Sequence, residues 1–335
     1  MKRNAVFFGD RNGNRIDFVY DRRIKESLSE LVNLYREVID RENLPEHASV
    51  LGSAEVAFST WGMPQFTDEE IRGYMPGLKA VFYAAGTVQS FARPFLQNGV
   101  KISSAWNANG VPVAEYTLAQ IILANKGFFQ SMAWAKKDPA KAKQLFESFP
   151  GNFNIKVGLL GAGAVGSKVA ALLKALDLEV LVFDPFLPEE RAGELGVRKA
   201  GLEEIFSSCQ TISNHLANVP ATVGILNKKH FASMLKNATF INTGRGAQVV
   251  EKDLALALAQ VPTRTAVLDV TSSEPPEPGN PLLELDNVFL TPHIAGSSGN
   301  EVIRMGQYML EEFLRYDRGE ELLYNVTAKM LETMA

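Results

Sequence analysis

The chain is almost without cysteine: Cys209 is the only one in 335 residues. A single thiol excludes an internal disulfide framework and a cysteine-rich metal site, and no metal site is expected. Charge of one sign is also missing. Lys+Arg is 34 against 38 Asp+Glu, a net charge of −4, so there is no basic footprint for nucleic acid. No apolar run approaches the ~20 residues of a membrane span. The first ten residues, Met1 to Asp10, hold too short an apolar stretch for a signal peptide. There is no internal repeat and no low-complexity segment. The one proline-rich stretch, Glu274 to Pro281, is too short for a linker and reads as a stiff loop. What remains is 46% hydrophobic and 21% charged, a soluble and cytoplasmic protein of about two domains at ~150 residues each.

The first hundred residues alternate short apolar runs with helical patterns. Val6–Phe8, Val56–Ser59 and Leu78–Ala84 read as strands, and Arg22–Leu34 and Asp68–Met75 as helices. This alternation predicts a parallel α/β layer. Pro112–Ala124 reads as a helix that starts at its proline, followed by a solvated helix-and-loop surface over Lys126–Lys143. From Lys156 the pattern is βαβ. Its strands are Val157–Leu160, Glu179–Asp184, Thr211–Ser213, Thr239–Asn242, Ala266–Asp269 and Val288–Leu290, with helices at Ala164–Leu176, Phe231–Leu235 and Asp253–Gln260. That predicts a doubly wound sheet. Ser298–Ala335 reads as mostly helical.

Gly161, Gly163 and Gly166 carry the GxGxxG spacing between an apolar strand and an apolar helix. Gly161 permits a tight turn, Gly163 leaves room for a pyrophosphate, and Gly166 lets helix and strand pack closely. The helix N-terminus, at Ala164 and Val165, offers free N–H groups to phosphate. Asp184 ends the next strand, where a carboxylate accepts hydrogen bonds from ribose hydroxyls and repels a 2′-phosphate. NAD is therefore preferred over NADP.

Three later segments put polar residues at strand ends, where open α/β sheets bind ligands. They are Asn242-Thr243-Gly244-Arg245-Gly246, Asp269-Val270-Thr271-Ser272-Ser273-Glu274-Pro275 and Pro292-His293-Ile294-Ala295-Gly296. In this order behind the glycine turn they resemble the D-isomer-specific 2-hydroxyacid dehydrogenase family, over residues ~55–310. The segment from His215 to Asn227 resembles another stretch of that family. It keeps His215, Pro220, Thr222 and Asn227 but has Ala217 where the family has proline.

The resemblance implies a Rossmann nucleotide-binding domain, residues 108–296, inserted into a discontinuous, flavodoxin-like substrate domain, residues 1–107 and 297–335. Both would be doubly wound parallel-sheet α/β domains. It implies a cofactor site that adds Leu216, Ala217, Thr222, Thr243, Gly244, Arg245, Asp269, His293, Ala295 and Gly296 to the glycine turn and Asp184. Asp269 would lie near the nicotinamide end. The stretch Ala84 to Ser90 resembles the family's substrate loop, whose backbone N–H groups hold the substrate carboxylate. This places Gly86, Thr87 and Val88 on the substrate, although Val88 and Ser90 depart from the family's Gly and Asp. Trp61 either walls the pocket or belongs to the core. Asn109, Val113, Ala114 and Glu115 match the family's domain-crossover stretch, with Pro112 in place of its serine. In the family this helix helps form a homodimer, which is expected here.

The residues argue the chemistry. Arg245 offers a planar fork for the carboxylate and ketone of a small 2-oxo acid. His293 gives or takes the proton at the C2 oxygen as hydride moves between NAD(H) and C2. Glu274 orients His293. The expected enzyme is an NAD-dependent oxidoreductase for a small 2-oxo or 2-hydroxy acid, with the D isomer implied by the resemblance. Formate dehydrogenase, a relative within the fold, is disfavoured because that branch has Gln where Glu274 stands. The alternative is an NAD(H)-sensing binding protein like the corepressors of this fold, which keep the same three residues. His47 and His230 read as surface residues, His215 as structural, and Cys209 as a small core residue.

Overall fold

The fold is taken from a computed structural model, which describes residues 2–10, 12 and 14–332. Apolar runs become strands, and each unit is wound around one sheet. The chain divides into a unit made of residues up to Asn109 and from Ser297 onward, and a second made of Gly110–Gly296.

In the first unit, β1 (Asn4–Phe8), β2 (Asn33–Ile39), β3 (Val56–Ser59), β4 (Ala80–Tyr83) and β5 (Lys101–Ser104) are parallel, in the spatial order 2-1-3-4-5. That is the flavodoxin-like winding. Side chains alternate along each strand, so both faces are apolar, as a parallel sheet covered on both sides requires. Val6, Phe8, Val81 and Tyr83 enter one core layer, and Ala5, Phe7, Phe58 and Phe82 the other. Helix Val302–Asp317 closes the second layer with Val302, Met305, Met309 and Phe313, one stripe of a 3.6-residue period. Gly306 permits the close approach, because a Cβ there would lie 2.4 Å from the Val19 carbonyl oxygen. Buried Glu312 then anchors the returning chain. It accepts the amides of Leu323 and Tyr324, each at 3.0 Å, and the Ser103 hydroxyl at 2.7 Å.

The second unit contains β6 (Ile155–Leu160), β7 (Leu178–Phe183), β8 (Arg198–Lys199), β9 (Thr211–Asn214), β10 (Thr239–Asn242), β11 (Thr265–Leu268) and β12 (Val288–Leu290). Their order is β12-β11-β10-β9-β6-β7-β8, all parallel. This is the Rossmann winding extended by one strand. Its polar strand ends gather on the carboxyl edge, where the glycine turn and the Arg245 and His293 loops begin.

The structure corrects several expectations. The helix expected from Arg22 to Leu34 ends at Leu31, because β2 starts at Asn33. The helix expected to start at Pro112 runs from Trp106 to Asn125 with Pro112 inside it. The turn before the proline is already closed, Asn109 N–H donating to the Ala105 carbonyl at 3.0 Å, so the ring removes one internal bond without ending the helix. The tail expected to be helical is so mainly over Val302–Asp317. It then runs through a turn into β13 (Asn325–Val326), antiparallel to β5. Residues 333–335 of that expectation lie outside the described residues.

His47 and His230 are buried rather than on the surface. His47 bonds the Tyr35 hydroxyl through Nδ1 at 3.1 Å. His230 packs tilted against Phe206 and accepts the Asn227 amide. Cys209 is buried as expected, and burial pushes its thiol up to about 12.

Candidate active site

The glycine turn follows from steric necessity. Gly161 has φ +96°, and a Cβ there would meet the His215 carbonyl oxygen at 2.7 Å. A Cβ on Gly166 would sit 2.0 Å from the Gly161 oxygen. Gly163 is the opposite case: nothing lies within 4 Å of an added Cβ. The first two glycines serve the protein's own packing, and the third leaves open space beside the N-terminus of helix Ala164–Leu173. The turn fits a dinucleotide pyrophosphate.

Asp184 lies just past β7, and both carboxylate oxygens are already engaged. Oδ2 accepts the Ala162 amide at 2.8 Å and Oδ1 the Phe186 amide at 2.9 Å. Asp184 therefore ties the glycine turn to its own strand end, a task the sequence did not announce. A carboxylate accepts about four hydrogen bonds, so capacity for ribose hydroxyls remains.

The loop after β9 is equally organised. Thr222 donates its one hydroxyl proton within its own turn, to the carbonyls of Ala217 (2.6 Å) and Val219 (2.9 Å). The side chain named as cofactor-binding thus shapes the loop. Leu216 is buried in the core, and its backbone is engaged as well: its amide donates to Asn214 Oδ1 at 3.3 Å. Gln248, absent from the expected residues, is fully buried and donates to the carbonyls of Leu216 (2.7 Å) and Ala217 (2.9 Å). The only signal for it was its place three residues after Arg245. His215 is structural. Burial lowers its imidazole to about 3, and the ring bonds Ser213 Oγ at 2.9 Å.

Arg245 is set by its neighbours. Asn242 Oδ1 accepts the Gly244 amide at 3.0 Å, and Asn242 Nδ2 donates to the Arg245 carbonyl at 3.2 Å. Gly246 has no alternative, because a Cβ would lie 1.9 Å from the Thr271 carbonyl carbon and 2.3 Å from the Ser272 nitrogen. This contact presses the arginine loop onto the loop that carries Glu274. The Arg245 guanidinium is half-buried and donates to the Gly244 carbonyl at 2.8 Å. Burial lowers it from its ordinary value, and the field of Glu274 opposes that.

His293 sits in the left-handed region, φ +54°, a conformation a non-glycine residue holds only when its surroundings impose it. Asp269 imposes it. This buried side chain accepts the Ile294 amide (2.8 Å), the Ala295 amide (2.9 Å) and the Thr291 hydroxyl (2.6 Å). Its own carbonyl accepts the His293 amide at 3.0 Å. His293 Nδ1 and Glu274 Oε2 are 2.7 Å apart. With Nδ1 held by the carboxylate, Nε2 is the nitrogen left to exchange a proton. Arg245, Glu274 and His293 thus form one group on the carboxyl edge. Asp269 anchors the histidine loop, and Thr243, Gly244, Ala295 and Gly296 lie in the arginine and histidine loops. Among the described residues no cluster of three His, Cys, Asp or Glu stands ready for a metal ion.

In the first unit the loop after β4 carries Gly86, half-buried, and Thr87, exposed. The Val88 side chain is fully buried in the core. Only its backbone is available to a ligand, because valine in place of glycine became a core residue. Trp61 is half-buried and packs against both core layers of its sheet.

An open dinucleotide turn on a Rossmann-wound sheet, with a carboxylate–imidazole pair and an arginine at the strand ends, defines a nucleotide-linked redox fold. Residues 118–295 match the family described as D-isomer specific 2-hydroxyacid dehydrogenase, NAD binding domain. The chain belongs to that family. It is 32% identical over 226 residues to D-3-phosphoglycerate dehydrogenase of Archaeoglobus fulgidus, a match covering 67% of this chain and 42% of that protein. The matched stretch is thus less than half of that relative's length. Among solved structures, a phosphoglycerate oxidoreductase from Rhizobium etli superposes with a TM-score of 0.82 at 20% identity, covering 98% of this chain and all of the other. An acyclic imino acid reductase in complex with NADPH and D-Arg gives 0.74 at 21% identity, covering 96% of this chain and all of the other. These likenesses share the fold, two parallel-sheet α/β domains.

Proposed function

We propose that the protein is an NAD-linked oxidoreductase that interconverts a small 2-oxo acid and its D-2-hydroxy acid. The observation that carries this is the 2.7 Å contact of His293 with Glu274, on loops locked to the Arg245 loop. When bound, the nicotinamide supplies or accepts the hydride at C2. Arg245 grips the carboxylate and polarises the ketone oxygen. His293 Nε2 protonates the developing alkoxide in reduction and removes the hydroxyl proton in oxidation. Glu274 holds the ring for both. Gly86, Thr87 and the Val88 backbone supply amides for an anionic group, and Trp61 supplies apolar wall.

NAD is the preferred cofactor, because Asp184 puts a negative charge where NADP carries its 2′-phosphate. Ala164 and Val165 offer helix N-terminal amides to the pyrophosphate. A homodimer fits the exposed Phe128, Met132 and Phe146 on the packed helices Phe128–Ala135 and Pro139–Glu147. The protein works in the cytoplasm, without nucleic acid or membrane.

The test is NADH oxidation across a panel of 2-oxo acids, from glyoxylate, pyruvate and hydroxypyruvate to branched, aromatic and sugar-derived acids. A phosphorylated hydroxypyruvate is included because of the named activity of the Archaeoglobus relative. NADPH is run in parallel. Turnover that disappears in His293→Ala, with a raised KM in Arg245→Ala, supports the reading. Tight NADH binding with no turnover on any acid refutes it and favours a sensor of NAD(H).

A further inference from the structure

One turn of the Trp106–Asn125 helix touches both loops on which the proposed chemistry depends. Tyr116 and Thr117 are adjacent on this helix, one half-buried and the other fully buried. The Tyr116 hydroxyl lies 3.1 Å from Thr291 Oγ1, in the loop of His293. The Thr117 hydroxyl lies 3.2 Å from Thr243 Oγ1, in the loop of Arg245.

The direction of the first bond is fixed. Thr291 has one hydroxyl proton, given to Asp269 Oδ1 at 2.6 Å. Tyr116 is therefore the donor to Thr291. The result is a chain from the Tyr116 hydroxyl through Thr291 to the carboxylate that holds His293 in its left-handed backbone. A donor behind a hydroxyl polarises it and strengthens its next bond. The second chain runs from Thr117 to Thr243, whose hydroxyl lies 3.5 Å from His215 Nδ1, and on to Ser213 at His215 Nε2. Burial keeps His215 neutral, with one nitrogen a donor and the other an acceptor.

We propose that Tyr116 and Thr117 are positioning residues: their neighbouring hydroxyls hold the His293 loop and the Arg245 loop to a single helix turn, which keeps acid and carboxylate fork in register. This rests on the functional reading above for the roles of Arg245 and His293. It adds that the two roles are mechanically separable. Tyr116 acts on proton transfer and Thr117 on carboxylate binding.

The experiment compares wild type with Tyr116→Phe, Thr117→Val and Thr291→Val. The first two remove a hydroxyl at nearly constant volume, and the third breaks the tyrosine chain at its middle. With the best acid from the panel, Tyr116→Phe and Thr291→Val lower kcat about three- to tenfold with KM for the acid unchanged, and Thr117→Val raises that KM by a similar factor with kcat little changed. NADH affinity stays within about twofold throughout. The second readout needs no turnover. In protein labelled at histidine Cε1, the four histidine cross-peaks are assigned by His→Gln variants. Tyr116→Phe and Thr291→Val displace the His293 peak, and Thr117→Val displaces the His215 peak.

A wild type that turns over no acid defeats the functional reading alone, and the peak displacements still decide the positioning. Unmoved peaks in these variants overturn the proposal. So does a displacement of all four together with a fall in Tm, which marks a merely structural role.

Discussion

Changing Glu274 tests the site most directly, because its contact with His293 is short and reached from a separate loop. Glu274→Gln keeps an oxygen that can accept the Nδ1 proton but loses the charge. Glu274→Ala loses both. A hydrogen bond to a charged partner contributes about 1.5–3 kcal/mol and a neutral one about 0.5–1.5. The side chains of His293 and Glu274 are 48% and 40% exposed, and solvent screening places the pair at the low end of the charged range. Gln then forfeits about 0.5 kcal/mol and Ala about 1.5, which is ~2-fold and ~13-fold in rate. Stopped-flow single turnovers of NADH oxidation isolate the chemical step from product release. Titration of NADH fluorescence checks that binding is intact. The expected order is wild type above Gln above Ala, in kcat, with NADH affinity level. A Glu274→Ala enzyme whose single-turnover rate stays within twofold of wild type would remove Glu274 from the mechanism.

Three further outcomes follow from other contacts. Gly246→Ala forces a methyl into the backbone of Thr271 and Ser272 and must part the arginine and glutamate loops. It is expected to lower stability by about 1–3 kcal/mol and kcat by more than tenfold; denaturant melts alongside kinetics check this, and an unchanged kcat in a folded variant refutes the close-packing argument. Asp184→Asn removes the charge and also turns an NH2 toward one of the amides of Ala162 and Phe186, so both cofactors bind less well, but the NADPH/NADH ratio of kcat/KM rises about fivefold, the size of a screened pair interaction of about 1 kcal/mol. A constant ratio contradicts the repulsion assigned to Asp184. His215 is held near 3 against an ordinary 6.5, so the unfolded chain binds a proton the folded one refuses. That stabilising contribution is complete above pH 6.5 and is lost as pH falls toward 3. By pH 5 the loss is about 2 kcal/mol, and urea melts of His215→Gln at pH 7.5 and pH 5 should show a correspondingly smaller difference than wild type.

The second unit was the more legible in sequence, because its strands are uninterrupted apolar runs closed by glycine or polar residues. Of the four edge strands, only β12 was read, with its observed bounds. β2 carries Arg36 and Glu37 and is largely exposed, so no apolar run marked it, and its start merged with the helix before it. β8 has two residues and β13 two, too short for any period. Val88 illustrates another limit. Motif position spoke only for the loop's backbone, and the burial of its side chain depended on the layer beneath. His47 and His230 stand beside charged neighbours such as Glu46 and Lys229, and local polarity gave no hint of the rings that cover them. The candidate site was legible as far as its motifs reached. The supports were not: Gln248, Tyr116, Thr117 and Thr291 act through contacts between distant segments, and nothing in a linear pattern announces a hydroxyl that meets its partner 126 or 175 residues away.

The first unit is written in two separated stretches, and this bears on how the molecule is born. A chain leaving the ribosome presents β1 to β5 first. One face of that sheet is covered only in part, by Ile16, Val19, Tyr20, Ile24 and Leu28, since Met305, Met309 and Phe313 have yet to be made. Strand β5 likewise waits for β13. The intervening unit has all its strands in one continuous stretch and can complete its core while its neighbour is still unfinished. Closing the split sheet across so long an insertion adds little entropy beyond that of a loop half the size. What it adds is delay, during which Phe58 and Phe82 lack the rings of Phe313 and Tyr316 that pack on them. The nascent chain is therefore most exposed to misassociation while the second unit is being made, and it is released from that hazard by the late helix Val302–Asp317.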